Sequence, residues 1–329
     1  MNTENKILFD WLTFTVVSDD FGADDALDFL GLKGYPFQRI YGMHGYKDRY
    51  YLNGINVYYN GRDDMGVCVE MSGSGCRFFE ENGKGDILSI IEFIFENPNM
   101  CHISRLDIAY DDFYKLLDLD LICDDVRNGN WVSRFRKITV EQEFSKKQKN
   151  DGTTIYFGSK KSDILFRLYD KRAERGRDDI EHWARFEIQL RDERAECFAQ
   201  MLYCGNDINE LFRGVVYNYL RFVRPSDSDT NISRAPMTDY WETFLQSVSA
   251  VRLTKQGTDY NESNLYEYVV KQTMSASSVF VDLFGLDLYV NLLELRSQAT
   301  LNQKYMNLLA KYGLEGGEYF ERTRQGFNV

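Results

Sequence analysis

Tyr169 has a cation two residues to either side, Arg167 and Lys171, within the run Ile164–Arg172 (ILFRLYDKR). Strand side chains alternate faces, so these three would project together, opposite Phe166 and Leu168. A phenol, with its pKa of about 10, is a weak nucleophile at neutral pH. Two flanking cations favour the phenolate and can also hold a phosphate. Two further runs carry acids in the same alternation. Ser104–Asp111 (SRLDIAYD) sets Arg105, Asp107 and Asp111 opposite Leu106, Ile108 and Tyr110, and Arg185–Arg191 (RFEIQLR) sets Arg185, Glu187, Gln189 and Arg191 opposite Phe186, Ile188 and Leu190. Carboxylates without a neighbouring histidine are the oxygen donors that Mg²⁺ or Mn²⁺ prefers. With a metal polarising a phosphodiester and a phenol oxygen attacking in line, the set suits phosphoryl transfer to tyrosine. The plainer alternative is a wet sheet face of mixed charge, which needs no function.

Such chemistry requires the three runs to be neighbouring strands, with their apolar faces in one core and their polar faces on one open surface. The rest of the pattern supplies candidate neighbours. Ile7–Val17, Phe37–Tyr41, Asp48–Tyr59 and Val67–Met71 read as strands, and Asn53-Gly54 marks a hairpin within the third. Ala23–Gly31 and Asp86–Glu96 read as helices, and Ser72-Gly73-Ser74-Gly75 as a tight turn. A second round follows: strand Ser104–Asp111, helix Leu116–Arg127, strands Arg134–Phe144, Thr153–Gly158, Ile164–Arg172 and Ala184–Arg191, then helix Asp207–Tyr219 and strand Leu220–Val223. Both rounds begin with a strand and a helix and continue with antiparallel strands. The expected fold is therefore α+β, a central antiparallel sheet built from duplicated ferredoxin-like βαββ units. The stretch 224–239 (RPSDSDTNISRAPMTD) is the best boundary, giving domains 1–225 and 226–329. The second domain reads as α-helical, with helices at Tyr240–Val251, Asn261–Thr273, Ser277–Ser297 and Gln303–Tyr312.

Composition narrows the class. The 329 residues carry a formal charge of −12, which by itself disfavours nonspecific nucleic-acid binding. Residues 134–172, however, hold eleven Lys and Arg against five Asp and Glu, a basic island in an acidic chain. Lys146, Lys147, Lys149, Lys160 and Lys161 flank two turns there and suit contact with a nucleic-acid backbone. No apolar run is long enough for a membrane span, no secretory signal opens the chain, and the six cysteines have no CxxC spacing. A cytoplasmic protein with reduced thiols is expected.

Six short motifs, in order, resemble the replication-initiation factor family, the rolling-circle initiators of Gram-positive plasmids and the related relaxases of conjugative elements and some phages. They are Asp10-Trp11-Leu12-Thr13-Phe14, Ser72-Gly73-Ser74-Gly75-Cys76-Arg77, Arg105-Leu106-Asp107-Ile108-Ala109-Tyr110-Asp111, Tyr156-Phe157-Gly158-Ser159-Lys160-Lys161-Ser162-Asp163, Arg167-Leu168-Tyr169-Asp170-Lys171 and Trp183-Ala184-Arg185-Phe186-Glu187-Ile188. The likeness spans roughly residues 7–225. It implies a metal-dependent nickase-ligase in which Tyr169 becomes linked to the 5′ end of the nicked strand, leaving a 3′ hydroxyl. It further implies Asp107 and Glu187 as ligands of Mg²⁺ or Mn²⁺, with Asp111 as a third candidate, and Arg167, Lys171, Arg185, Lys160 and Lys161 as phosphate contacts. The partner is single-stranded or hairpin DNA at an origin, with a host helicase and a second copy of the chain as further candidates and no membrane. Histidines 44, 102 and 182 are too scattered for a His-hydrophobic-His metal motif, which this family does not use. Replication initiator is the leading reading. A conjugative relaxase and a non-catalytic origin-binding protein of the same fold are the alternatives.

Overall fold

Alternating β-branched and aromatic residues build a ten-stranded antiparallel sheet in the computed structural model, which describes residues 4–144, 150–226, 231–248 and 274–294. Its first unit comprises β1 (Lys6–Val16), helix α1 (Ala23–Phe29) and a four-strand meander, β2 (Gln38–Tyr41), β3 (Asp48–Leu52), β4 (Ile55–Tyr59) and β5 (Val67–Ser72). Helices α2 (Gly73–Asn82) and α3 (Ile87–Glu96) follow. The second unit repeats the plan with β6 (Cys101–Asp112), helix α4 (Leu119–Asn128), β7 (Trp131–Ser133), β8 (Ile138–Phe144), β9 (Asn150–Phe157), β10 (Ile164–Asp170), the short helix α5 (Lys171–Glu174) and β11 (Ala184–Arg191). Helices α6 (Asp192–Tyr203) and α7 (Ile208–Tyr219) close it, and β12 (Leu220–Phe222) pairs with β7 in a separate two-stranded ribbon.

The sheet order is β2-β3-β4-β5-β1-β6-β11-β10-β9-β8. In each half the last strand of the meander returns beside the first, and the halves join where β1 pairs antiparallel with β6. The duplication is thus topological, with four meander strands per unit where the βαββ expectation has two. Asn53 and Gly54 both take positive φ (46° and 85°) in the β3–β4 hairpin, the backbone that a two-residue primed turn needs.

One face of the sheet is apolar and covered. Leu106, Ile108, Phe166, Leu168, Phe186 and Ile188 are fully buried there. Helix α8 (Asp239–Val248) lies against them, and the Phe186 ring centroid is 6.0 Å from Phe212 of α7, 6.0 Å from Trp241 and 5.7 Å from Phe244 of α8. Tyr240 of the same helix donates to Asp125 at 2.8 Å. Chain beyond the expected 225/226 boundary therefore returns to complete the core of the second unit, because Trp241 and Phe244 are the apolar cover for β11.

The elements differ from the sequence reading at several places. Ser72 to Gly75 is no free turn. Ser72 is the N-cap of α2, and Gly75 packs so closely on Gly54 that a Cβ would lie 2.4 Å from its carbonyl oxygen. Lys171 opens α5 instead of continuing β10, since Asp170 caps that helix through the Ala173 N–H at 2.8 Å. Helix α6, which the pattern reading passed over, packs on β6 with Ala195, Phe198, Ala199 and Leu202 buried. The expected helix Ser277–Ser297 is split by Gly285 (φ +88°) into α9 (Met274–Phe284) and α10 (Leu286–Glu294). The expected helices Asn261–Thr273 and Gln303–Tyr312, and Lys146, Lys147 and Lys149, lie outside the described residues. All six cysteines are free thiols, and no helix among the described residues is long and apolar enough to cross a membrane.

Candidate active site

The polar face of the central strands carries the chemistry. β6, β11 and β10 are consecutive, and their register opposes Arg105 to Arg191, Asp107 to Gln189, Asp111 to Arg185, Arg167 to Glu187 and Tyr169 to Arg185. Glu187 is therefore the diagonal neighbour of both Asp107 and Tyr169, within reach for long side chains. Asp107, Glu187, Arg167, Tyr169, Lys171 and Lys160 line one cleft of about 550 Å³.

That face is not the open surface that alternation suggests. Tyr169 is only 4 % exposed, and Asp107 and Glu187 are buried too. The phenol nevertheless sits among charges. The Arg167 guanidinium covers its ring at 4.3 Å and donates to Glu187 Oε2 at 2.7 Å. Lys171 Nζ donates to Tyr169 Oη at 3.1 Å, and Oη donates to Glu187 Oε2 at 3.5 Å. Lys171 also pairs with Glu174 of α5. Burial, reinforced by the Glu187 charge, holds the phenol above its ordinary pKa; Arg185 and Arg167 pull the other way and are outweighed. The flanking cations alone therefore do not generate a phenolate. Burial also lowers the Lys171 ammonium, with the Arg185 charge in the same direction.

Asp107 and Glu187, the two buried acids of the cleft, each have an arginine. Asp107 takes Arg105 in a two-point contact at 2.6 and 3.0 Å, and Arg105 lies over the Trp11 ring at 4.0 Å. Burial nonetheless pushes Asp107 up to about 7; Arg105 opposes the shift, while the charges of Glu187 and Asp10 add to it. Glu187 is raised in the same direction, by burial first and also by Asp10. The folded state thus holds a proton on Asp107 more tightly than the unfolded chain does. Its contribution to stability falls as pH rises from about 4 to about 7 and is flat above. Asp107→Asn should accordingly gain on the wild type by about 2–3 kcal/mol between pH 5 and pH 8, as measured by urea unfolding without divalent metal. A gap independent of pH would show that Asp107 is ionised throughout.

Asp10 is the acid that sequence reasoning missed. The β1–β6 register runs from Phe9↔Ile108 to Trp11↔Asp107, so Asp10 is the extra residue of a β-bulge. A bulge re-aims side chains at the cost of one ladder position. Here it puts both Asp10 and Trp11 on the cleft face. The signal was present in the sequence: core positions 7 and 9 are followed by 12, 14 and 16, a change of phase that ordinary alternation forbids. Gly73 at the start of α2 keeps room for this carboxylate, since a Cβ there would lie 2.5 Å from Asp10 Oδ1.

The other expected site residues are placed differently. Both oxygens of Asp111 accept from Arg185, at 2.7 and 2.8 Å, and the remaining Arg185 terminal nitrogen donates to Asp10 at 2.6 Å. Burial acts to lower the Arg185 pKa, but Asp111 and Asp10 hold it well above its ordinary value. The expectation that Asp111 ligates metal and Arg185 contacts phosphate is therefore not matched by this geometry, because each already satisfies the other. Lys160 lines the cleft with its ammonium 4.2 Å over the Tyr156 ring, whereas Lys161 is exposed and outside it.

The donor set suits a hard cation in kind. Mg²⁺ commonly takes only one or two protein carboxylates, completing its shell with water and substrate phosphate. Burial leads the upward shifts on Asp107 and Glu187, and the charges of the neighbouring carboxylates add to them; a bound cation would offset that added repulsion. Among the described residues, no group of three or more His, Cys, Asp or Glu is already gathered as a metal cage.

Residues 101–287 match the family described as replication initiation factor, and residues 6–95 match the rolling circle replication initiation protein N-terminal domain. The chain belongs to the replication initiation factor family. The two matches fall on the two halves of the sheet, divided between α3 and β6. A Bacillus subtilis (strain 168) protein that carries the name DNA relaxase NicK is 32 % identical over 224 residues, which is 65 % of this chain and 61 % of that protein. The chain thus matches less than two thirds of that relative's length. The solved structure of a rolling circle replication initiator protein from Geobacillus stearothermophilus aligns with a TM-score of 0.72 at 32 % identity, over 77 % of this chain and 100 % of that one. Within this replication initiation factor chain, the matched motif Asp10-Trp11-Leu12-Thr13-Phe14 contains the bulge, so its acid and its indole have a local structural cause.

Proposed function

We propose that the chain nicks and rejoins one strand of DNA to start rolling-circle replication of a plasmid or mobile element, with Tyr169 as the nucleophile. The observation that carries this reading is the position of the phenol oxygen, 3.1 Å from Lys171 Nζ and 3.5 Å from Glu187 Oε2, in a cleft that Asp10 and Asp107 also line. The relatives' names, a relaxase and an initiator, support the same chemistry.

In the reaction the phenol oxygen bonds to phosphorus and the bond from phosphorus to the 3′ oxygen breaks, leaving a 3′ hydroxyl and a 5′-phosphotyrosine. Rejoining is the reverse. Glu187 Oε2 is the nearest acceptor for the phenolic proton, and the Lys171 ammonium stabilises the phenoxide as it forms or departs. Asp107, Glu187 and Asp10 would hold Mg²⁺ or Mn²⁺; Asp111 is kept for Arg185. The bound ion supplies polarisation of the scissile phosphodiester. Arg105 and Arg167, both partly exposed, and Lys160 at the rim would meet the phosphates of the strand. A relaxase of a conjugative element would use the same groups.

A single-stranded oligonucleotide carrying the element's own origin should be converted, with Mg²⁺ or Mn²⁺, to a 3′-hydroxyl product and a protein-linked 5′ fragment, resolved on a denaturing gel. EDTA should suppress both. Origin binding that ignores divalent metal and never leads to cleavage would instead support a non-catalytic regulator of the same fold.

A further inference from the structure

A second cleft, of about 750 Å³, adjoins the first and shares Asp10, Gly73, Ser74, Lys171 and Arg175 with it. The two differ in what their aromatic rings offer. In the first, Trp11, Tyr156 and Tyr169 are each covered by a cation, at 4.0, 4.2 and 4.3 Å. Those rings are capped. In the second, no cation lies over Phe78, Phe113 or Trp183 among the described residues, and Phe113 stacks on Trp183 with centroids 5.4 Å apart and planes 25° apart. Tyr51 stands at the same cleft, 38 % exposed, with the Arg49 guanidinium 5.8 Å from its ring centroid, farther than the cations that cap the rings of the first cleft. Lys6 and Arg175 border it as well, and Lys6 makes no ion pair among the described residues. Stacking platforms with cations beside them are how single strands are held without base-pairing, because every base has a π-face and every linkage a charge.

Resting on the reading of the first cleft as a nicking site, we infer that the second cleft is a base subsite for the same strand: it takes an unpaired nucleobase next to the scissile phosphate, between Tyr51 and the Phe113–Trp183 stack. The shared wall makes the assignment. A strand whose phosphate lies by Asp10 and Lys171 in one cleft has its neighbouring nucleotide within reach of the other. Arg175, common to both, is placed for the linking phosphate. The subsite would fix the register of the strand relative to Tyr169 by requiring one nucleotide to be unstacked from its neighbours, which favours single-stranded or extruded DNA over duplex.

The test compares two fluorescent probes of equal phosphate count, an oligothymidylate of about a dozen nucleotides and a strand of the same length made wholly of abasic residues. Binding is read by anisotropy at low salt without divalent metal, so no cleavage intervenes. The wild type should prefer the base-bearing strand by about tenfold, the range of one or two stacked bases. Tyr51→Ala, at a partly exposed position, and Phe113→Leu should each reduce that preference to about threefold or less while keeping the affinity for the abasic strand. Equal binding of both strands by the wild type, or an undiminished preference in Tyr51→Ala and Phe113→Leu, overturns the subsite and leaves the nicking reading standing. Failure to bind either strand overturns both.

Discussion

Tyr169→Phe should abolish the protein–DNA adduct and strand cleavage, a loss of about a thousandfold or more, while binding of the uncleaved oligonucleotide changes by no more than about twofold. The substitution removes one oxygen and little else. The ring keeps its place under Arg167, and Lys171 keeps its ion pair with Glu174. Because the phenol is buried and raised above its ordinary pKa, its removal exposes no new charge. Folding should therefore survive, and thermal unfolding checks this directly. Cleavage that persists at a comparable rate would place the nucleophile elsewhere. Loss of cleavage together with loss of binding would mean that the hydroxyl holds DNA instead of attacking it.

Arg185→Leu should be among the most destabilising single changes in the chain, costing about 3–5 kcal/mol. Arg185 is buried and ties β11 to both neighbouring acids, Asp111 on β6 and Asp10 on β1. Removing it strands the buried carboxylate of Asp111 and the half-buried one of Asp10 across the junction of the two halves of the sheet. Arg185→Lys should rescue only part of the loss, since an ammonium cannot make the two-point contact with Asp111. Adding Asp111→Leu to Arg185→Leu should recover much of it, because the uncompensated charge goes as well. Chemical unfolding of the three variants checks the set. A loss under 1 kcal/mol, about the scale of an exposed pair, would mean that Arg185 is in practice solvated and free for phosphate.

The sheet was legible because two-residue periodicity survives in single strands: Leu106, Ile108, Phe186 and Ile188 face the core as their alternation requires. The same periodicity brought Asp107, Glu187 and Tyr169 to one face. Depth was not legible. Alternation assigns a face but does not say that Arg167 folds over the phenol ring or that α5 turns Lys171 back onto its oxygen. Nor does it show pairing across strands, so Arg185 and Asp111 read as two functional groups when they satisfy each other. Asp10 was hidden for a different reason. A bulge breaks the alternation that identifies a face, and the broken phase around positions 9 to 12 was the only trace of it. The return of Trp241 and Phe244 to the core could not be seen either, because helical periodicity identifies an apolar stripe without naming the surface that it covers.

Digestion of the trapped adduct and mass spectrometry of the nucleotide-bearing peptide would bear most directly on the nucleophile. The oligonucleotide remnant should sit on the phenol oxygen of Tyr169, as a phosphate joined to the 5′ end of the cleaved strand. A remnant on any other residue, or one joined through a 3′ phosphate, would contradict the assignment of this cleft as the site that breaks and rejoins DNA.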